Sequence, residues 1–370
     1  MSKKLFLFMC MFSLLCLSVT VFAGGFKLPI GSNPIKQKSS QPATDSSEKQ
    51  LEQSPAKVTI AADGPVADVC FSLDGSKIVF AYNNVINLCK ADGTPIKRFG
   101  VKEGQDINVL DYTNNTIATF AYTNPAQIYI WDENGTNIKK LGAIAKDADE
   151  TTVNPDIETA KSYRLLFSRD GKSLVNVSKT DNFGGVKARD LATGKVKVFK
   201  GYEDTSVYGC CFSVDGSKFV TISRDEQVKV WDLAKGALII TIETGDSLKS
   251  SYNGKDVGIL SDGTIVAVKN DLTLWTSDGK LIKTLKKESD SSYTMVRVSR
   301  DGNLFAVAYE GSGLALYSKD GVLLKSFKTE GQYSLPSAVT GIAFSPDNKF
   351  MAVATDGGDT EKGDVKIFEL

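Results

Sequence analysis

Histidine is absent from all 370 residues of this chain. A nucleophilic triad or dyad with histidine as its base is therefore excluded, and so is the zinc motif HExxH. A mechanism based on paired carboxylates does not need histidine and stays open. The composition therefore argues against most hydrolase chemistry, and we expect a protein without catalytic residues, metal site or cofactor.

The chain also lacks an excess of charge of either sign. It has 44 basic and 44 acidic residues, and loss of Lys3 and Lys4 with the N-terminal segment described below leaves 42 basic against 44 acidic ones. No long block of one sign occurs. Because nucleic-acid binding normally needs a basic surface, we expect no nucleic-acid partner.

A membrane-length apolar run occurs only at the N-terminus. Lys3 and Lys4 precede an apolar run over 5–22, which is followed by Ala23 and Gly24. This order is typical of a secretory signal peptide, although about 18 apolar residues are also just long enough for an uncleaved anchor. We predict a cleaved signal peptide over residues 1–23. The mature protein is then periplasmic or extracellular and has no membrane span.

Residues 24–56 contain little from which a folded core is built. They are rich in Ser, Gln, Lys and Pro and hold one aromatic residue, Phe26. Such a segment buries too little apolar surface to offset the entropy that it would lose on ordering. We predict a flexible leader over 24–56 and a folded domain over 57–370.

The predicted domain is built from a repeated unit. The clearest part of the unit is a hairpin turn in which Asp-Gly, Asp-Asn or Asn-Asn supplies the positive φ that tight turns require. The copies lie at 71–75, 110–115, 167–171, 212–216, 260–263, 298–302 and 344–348. Six aspartates recur there, one in each of six separate hairpins, so we predict turn residues and not calcium ligands: Asp74, Asp170, Asp215, Asp262, Asp301 and Asp347.

Each turn is followed by an apolar second strand, a third strand that usually ends in an aromatic residue, and a fourth strand. The third-strand position holds Cys89, Trp131, Arg189, Trp231, Trp275, Tyr317 and Phe368. The seventh unit lacks a fourth strand, whereas an unassigned strand at 57–60 precedes the first unit. We therefore predict an all-β, seven-bladed β-propeller. Its ring closes when the N-terminal strand pairs with the C-terminal blade, which removes exposed sheet edges.

These features resemble the WD40 family of β-propellers. Trp131-Asp132 and Trp231-Asp232 match the dipeptide that gives the family its name, and the unit over 207–233 is the most similar. The resemblance covers residues 57–370 and implies a binding scaffold. Typical members carry a Gly-His pair before each blade and a buried histidine in a polar network. Gly201-Tyr202 lies near the place of one such pair. Because this chain has no histidine, we expect the contacts between its blades to be more hydrophobic.

Four cysteines remain after the predicted signal peptide. Cys70 and Cys89 lie on the first and third strands of one predicted blade, about 9.6 Å apart across two strand spacings, which is too far for a disulfide. Cys210 and Cys211 are adjacent on a strand of another blade. We predict four free thiols that pack as small apolar side chains.

Binding residues are expected on the face that carries the loops between blades, because loops on a rigid scaffold commonly bind partners. An acidic insert over 146–158 interrupts the repeat there, and five aromatic residues are predicted near the same face. The alternative for any one ring is that it only caps the top of a blade. The candidate partner-binding residues are Asp147, Asp149, Glu150, Asp156, Glu158, Phe183, Tyr202, Tyr252, Tyr309 and Tyr333.

We predict a monomeric, non-enzymatic, exported scaffold that binds a protein partner through these loops. The alternative is a small-molecule site or a carboxylate-based hydrolase at the mouth of the propeller channel. Two close carboxylates converging on a pocket favour the alternative. Scattered charges on a flat face favour the scaffold.

Overall fold

The folded part of the chain consists almost entirely of β-strands. A computed structural model describes residues 55–121, 127–142, 161–179, 185–202, 205–244, 256–269, 271–285, 292–310, 313–328 and 338–370, all within the unit Gln50–Leu370. In these ranges the one helical element is a 3-10 turn, Gly358–Thr360. No helix among the described residues is long and apolar enough to cross a membrane.

The strands form seven antiparallel sheets of four strands each, which we call blades 1 to 7. The strands of blades 1 to 3 are β2 (Val66–Phe71), β3 (Lys77–Tyr82), β4 (Val85–Lys90) and β5 (Pro95–Gly100); β6 (Ile107–Thr113), β7 (Thr116–Ala121), β8 (Gln127–Asp132) and β9 (Asn137–Gly142); and β10 (Lys161–Phe167), β11 (Ser173–Lys179), β12 (Gly185–Asp190) and β13 (Val196–Phe199).

The strands of blades 4 to 6 are β14 (Val207–Phe212), β15 (Lys218–Ser223), β16 (Gln227–Asp232) and β17 (Ala237–Glu243); β18 (Asp256–Ile259), β19 (Ile265–Val268), β20 (Leu272–Trp275) and β21 (Leu281–Leu285); and β22 (Tyr293–Val298), β23 (Leu304–Tyr309), β24 (Gly313–Ser318) and β25 (Leu323–Lys328). Blade 7 combines β26 (Val339–Phe344), β27 (Phe350–Thr355) and β28 (Asp364–Glu369) with the N-terminal strand β1 (Val58–Ala61). The chain is therefore an all-β, seven-bladed β-propeller, as predicted.

The predicted hairpin turns join the first and second strands of every blade. Gly75 adopts φ +72°, and the paired asparagines Asn114 and Asn115 adopt φ +46° and +57°. The turn aspartates act within their own hairpins, as predicted: Asp74 accepts hydrogen bonds from the hydroxyl of Ser72 at 2.6 Å and from the backbone N–H of Ser76 at 3.0 Å. These bonds stabilise the ionised form and lower the pKa of Asp74 to about 2.

The aromatic position of the repeat has the same place in all seven blades. Trp131 lies opposite Ile117 and Trp231 lies opposite Phe219, each near the start of its second strand. Cys89, Arg189, Trp275, Tyr317 and Phe368 occupy the equivalent register position. The register inferred from the sequence is therefore the register of the folded ring.

The apolar core of the described residues lies between blades. Buried side chains group into seven clusters, and each cluster joins one blade to the next. The cluster between blades 7 and 1 includes Val69, Phe80, Ala352 and Val365. Because every blade packs against two neighbours, the seven sheets form a closed ring.

The N-terminal strand is part of this closure. Val58 pairs with Ile367 and Ile60 pairs with Val365 across the antiparallel contact of β1 with β28. On the inner side of the ring, the hydroxyl of Thr340 in blade 7 donates a hydrogen bond to the carbonyl of Val66 in blade 1 at 2.7 Å. The start and the end of the domain are therefore held together.

The topology gives the ring two faces and a central channel. First strands of successive blades contact one another, so β2, β6, β10, β14, β18, β22 and β26 surround the channel. The hairpins between first and second strands lie on what we call the turn face. The connections between blades, and those between second and third strands, lie on the loop face. A side chain early in a first strand is thus near the loop face, and one late in it is near the turn face.

Candidate functional site in the central channel

Eight of the ten predicted partner-binding residues lie outside the described residues. They are Asp147, Asp149, Glu150, Asp156, Glu158, Phe183, Tyr252 and Tyr333. The two that are described, Tyr202 and Tyr309, lie on different blade interfaces. The predicted group is therefore not seen together, and partner binding by it stays a prediction.

Tyr202 lies in the core and not on the surface that was predicted for it. Only 5% of the residue is exposed, and its hydroxyl hydrogen-bonds to the hydroxyl of Thr221 and accepts from Trp231 Nε1 at 2.8 Å. A buried hydroxyl needs such partners, and this one links the segment after blade 3 to blade 4. The absence of histidine has therefore not reduced this contact to apolar packing, contrary to expectation.

Tyr309, at the end of β23, is half-buried. Its ring meets the ring of Tyr293 edge-on, with 6.5 Å between centroids, and it lies over the backbone of Gly313, where a Cβ would overlap it. This side chain caps the loop-face end of blade 6, which is the alternative that the sequence left open for single rings. Its remaining surface is accessible from the loop face.

The described part of the loop face carries charges of both signs, which are largely paired. Arg98 lies 3.7 Å from Asp63, and Lys366 lies 2.9 Å from Asp364. Lys269 lies 3.6 Å from the buried carboxylate of Glu226, which links blade 5 to blade 4. No single-sign patch results from these pairs.

The channel contains charged residues that the sequence analysis missed. They lie on first strands in two layers of equivalent register positions. The layer nearer the loop face holds Asp68, Arg164 and Asp256, each at a bulge or at the start of its strand. The layer nearer the turn face holds Asp111 and Arg297. Recurrence of charge at one register position of the repeat was the signal available in the sequence.

Asp256 is the centre of the most highly connected group. Its Oδ2 lies 3.1 Å from Arg164 Nη2 and 2.5 Å from Arg297 Nη1, and it also accepts the backbone N–H of Val296 at 3.1 Å. Its Oδ1 accepts the N–H of Val257 at 3.0 Å. The carboxylate therefore joins side chains of blades 3 and 6 to blade 5.

Two glycines make room for the carboxylates. A Cβ on Gly209 in blade 4 would lie 2.3 Å from Asp256 Oδ1, and a Cβ on Gly341 in blade 7 would lie 2.8 Å from Asp68 Oδ1. In both cases the glycine belongs to the blade that precedes the aspartate around the ring. The missing side chain allows the carboxylate to occupy that position.

Asp68 and Asp111 repeat the same connection between neighbouring blades. Asp68 accepts the N–H of Val69 at 2.9 Å and of Leu110 in blade 2 at 3.4 Å. Asp111 accepts the N–H of Tyr112 at 2.8 Å and of Phe167 in blade 3 at 2.6 Å. Each carboxylate thus bridges the first strands of two adjacent blades.

Burial dominates the acidity of these carboxyl groups. It raises the pKa of Asp68 to about 6, although Arg164 and the two N–H donors oppose the shift. It also raises the pKa of Asp111 to about 6, against the N–H donors of Phe167 and Tyr112. The ionised form loses more by desolvation than the hydrogen bonds return.

A cavity of about 190 Å³ lies at the turn-face end of the channel. Four arginines of blades 3 and 6 line it together with Asp111, namely Arg164, Arg169, Arg297 and Arg300. Cys210 and Cys211 form part of its wall, and all four described cysteines are free thiols. Because burial raises the pKa of Cys210 and Cys211, neither supplies a thiolate nucleophile near neutral pH.

The channel carboxylates are engaged in structural contacts. Asp68, Asp111 and Asp256 each accept two backbone N–H groups, one of them from the next blade. A glycosidase-type pair needs one carboxyl group free to protonate a leaving group and another free to attack or to activate water. Within the described ranges, no group of three or more Cys, Asp or Glu residues is placed to hold a metal ion.

Comparison with known proteins agrees with the repeat seen in the fold. The profile of the family described as "WD domain, G-beta repeat" matches residues 194–232 and 321–360. Both segments run from the third-to-fourth-strand region of one blade into the next blade. Each match thus begins before the fourth strand of one blade and ends in the next blade, so the sequence repeat and the structural blade have different boundaries. The pairing of β1 with the last blade shows the same offset.

Several curated proteins are similar to parts of this chain. Protein hir1 of Aspergillus terreus is 28% identical over 216 residues, which are 56% of this chain and 19% of that protein. COMPASS component SWD3 of Saccharomyces cerevisiae is 28% identical over 182 residues, 48% of this chain and 54% of that protein. U3 small nucleolar RNA-associated protein 15 homolog of Gallus gallus is 22% identical over 307 residues, 72% of this chain and 54% of that protein.

The matched region covers about a fifth of the first of these relatives and about half of the other two. The similarity is limited to that part of each relative. Two segments that match the WD repeat and a ring of seven four-stranded sheets together describe a seven-bladed β-propeller with WD40-like repeats.

Proposed function

We propose that this chain is a non-enzymatic scaffold that acts outside the cytoplasm and binds a protein partner through its loop face. The observation that supports it best is the closure of the ring. Seven core clusters join every pair of neighbouring blades, so the loops are held on a rigid frame. WD-repeat propellers generally act as such scaffolds, which the fold makes available to this chain.

The charges of the described residues favour the scaffold over the hydrolase. Loop-face charges are scattered and of mixed sign. The channel carboxylates each accept two backbone N–H groups, so they are held as structural bridges. The acidic insert, with Asp147, Asp149 and Glu150, is the segment that we propose as the main contact with a partner that is polar and basic.

Comparative capture from an envelope extract tests the proposal. The mature chain is compared with a variant in which Asp147, Asp149, Glu150, Asp156 and Glu158 are changed to Asn or Gln. A control variant changes three acidic residues in turns between third and fourth strands to Asn, namely Asp92, Asp278 and Asp320. We expect the first variant to lose a specific set of captured proteins that the control retains. Equal capture by all three chains contradicts the proposed surface.

The location is tested separately by cell fractionation and N-terminal sequencing. We expect the chain outside the cytoplasm with Gly24 as its first residue, because the segment over 1–23 has the order of a signal peptide. A cytoplasmic chain that retains Met1 contradicts export. This result is independent of the capture experiment.

A further inference from the structure

The turn-face cavity has more positive than negative charge. Arg164 and Arg297 share the carboxylate of Asp256, at 3.1 and 2.5 Å. Asp68 also lies near Arg164, and Asp111 lies near Arg300. Four arginines and three carboxylates therefore lie in this part of the channel. The two carboxylates nearer the loop face, Asp68 and Asp256, interact with Arg164 or Arg297. The excess of positive charge lies at the mouth, with Arg169 and Arg300.

Arg169 and Arg300 have no carboxylate within ion-pair distance in the described part of the chain. Arg169 donates from Nε to the carbonyl of Ser213 at 3.3 Å, which fixes the side chain but leaves its charge uncompensated. Arg300 is exposed and follows Ser299 at the end of β22. The two side chains come from blades 3 and 6 and line the same cavity. Burial, and after it the charge of Arg169, lowers the pKa of Arg300.

The turn aspartates beside them do not remove this excess. Asp170 accepts the hydroxyl of Ser168 at 2.6 Å and the N–H of Lys172 at 3.0 Å. Asp301 accepts the hydroxyl of Ser299 at 2.7 Å and the N–H of Asn303 at 3.1 Å. Each of these carboxylates therefore faces its own hairpin, while the neighbouring arginine lines the cavity.

We propose that this cavity binds a small oxyanion with two negative charges, of the phosphate or dicarboxylate class, between Arg169 and Arg300. Guanidinium groups present several N–H donors in a plane and match the oxygens of such anions. A volume of about 190 Å³ corresponds to roughly six water molecules at about 30 Å³ each. That is room for one small anion and no room for a folded partner. Arg164 and Arg297 form the positive floor of the site.

This site goes beyond the proposed function, because it lies on the turn face, whereas partner binding is proposed for the loop face. Charge-neutralising variants of the insert are expected to bind the anion as the unchanged chain does. Loss of partner capture and loss of anion binding are therefore separate results, and either proposal can fail alone.

Calorimetric titration of the mature chain at pH 7.5 tests the site, with inorganic phosphate, succinate and chloride at matched ionic strength. We expect saturable binding of phosphate or succinate and none of chloride. The ratio of the two affinities shows whether a tetrahedral anion or a dicarboxylate is preferred. Arg300→Gln is the decisive variant, because Arg300 has no ion pair in the described structure whose loss would affect folding. We expect at least a tenfold weaker affinity.

Two further variants complete the test. Arg169→Gln is expected to weaken the affinity at least tenfold, with its thermal midpoint in chloride measured to verify folding. Arg224→Gln removes an exposed arginine of the loop face and is expected to bind like the unchanged chain. Absence of saturable binding overturns the proposal, and so does an Arg300→Gln variant that binds as tightly as the unchanged chain.

Discussion

Arg164 and Asp256 belong to blades that are not neighbours, yet their side chains meet in the channel with 3.1 Å between Nη2 and Oδ2. Blade 4 lies between them and contributes Gly209 at the equivalent register position, which leaves the space for this contact. The pair is buried, with 11% and 7% of the two side chains exposed. It therefore links blades 3 and 5 across blade 4.

Breaking this pair from either side should destabilise the ring. Removal of Asp256 leaves the buried charges of Arg164 and Arg297 without the carboxylate that they share, and loss of one partner of a buried pair typically costs about 3–5 kcal/mol. We expect a loss of that order in the free energy of unfolding for Asp256→Ala, measured by chemical denaturation, and a smaller loss for Arg164→Ala, because Arg297 still pairs with Asp256. The double variant should lose less than the sum of the two. Glu369→Gln, which breaks the exposed Lys57–Glu369 pair at 3.2 Å, should cost at most about 1 kcal/mol. Strict additivity in the channel pair contradicts the linkage.

Gly209→Ala should destabilise the chain by overpacking. The new methyl group would lie 2.3 Å from Asp256 Oδ1 and 3.0 Å from Asp256 Cα, and overpacking typically costs about 1–3 kcal/mol. The free energy of unfolding is measured in the unchanged chain and in the Asp256→Ala background. We expect a smaller cost in the latter, because the carboxylate is gone. An equal cost in both backgrounds assigns the effect to the backbone alone.

Tyr202→Phe should weaken the contact between blades 3 and 4. The change removes the acceptor of Trp231 Nε1 and the partner of the Thr221 hydroxyl, and loss of such buried bonds costs about 1–3 kcal/mol. Trp231 keeps a longer bond to Thr221 at 3.3 Å. Tyr129→Phe is the control, because its hydroxyl makes one long bond of 3.5 Å to Gln105. Similar thermal midpoints for the two variants would show that the network is not stabilising.

The raised pKa of Asp111 predicts a pH dependence of stability with an unusual sign. Its pKa is about 6 in the folded chain against the ordinary 3.8. Between these values the folded state holds a proton that the unfolded state has released, so stability falls as the pH rises from about 4 to 6. Asp68 acts in the same direction over the same window.

Asp111→Asn isolates this contribution. We expect the stability of the unchanged chain relative to the variant to decrease from pH 4 to pH 6.5 and to level off above that, as followed by denaturation at each pH. The turn residue Asp74, with its pKa lowered to about 2, has the opposite sign, because its contribution is present above pH 4 and is lost on acidification toward pH 2. A difference between chain and variant that does not change with pH contradicts the raised pKa.

Removal of residues 57–61 should destabilise the last blade. Val58 and Ile60 pack in the cluster with Val365 and Ile367, and uncovering these side chains costs roughly 3–5 kcal/mol by apolar burial. Removal of residues 24–54, which composition predicts to be a flexible leader, should leave the thermal midpoint unchanged. Equal midpoints for both truncations contradict closure of the ring through β1.

The sequence by itself determined the repeat, the turns and the register. Asp-Gly and Asn-Asn pairs specify the hairpins because few other residues adopt positive φ at low cost. Alternation of apolar residues and one aromatic per third strand then fix which side chains face the neighbouring blade. Trp231 could be placed from this local pattern alone, and so could the unpaired strand at 57–60.

Only the tertiary structure decided where the charges meet. A polar residue in an alternating strand gives the same pattern whether it faces solvent or a channel, so the sequence pattern did not single out Asp68, Arg164 and Asp256. They come together because the ring brings seven first strands around one axis. The contact of Arg164 with Asp256, for example, joins residues that are 92 positions apart in the chain. The polar role of Tyr202 and the arginine-lined cavity have the same origin, since both depend on how the closed ring arranges its blades around the channel.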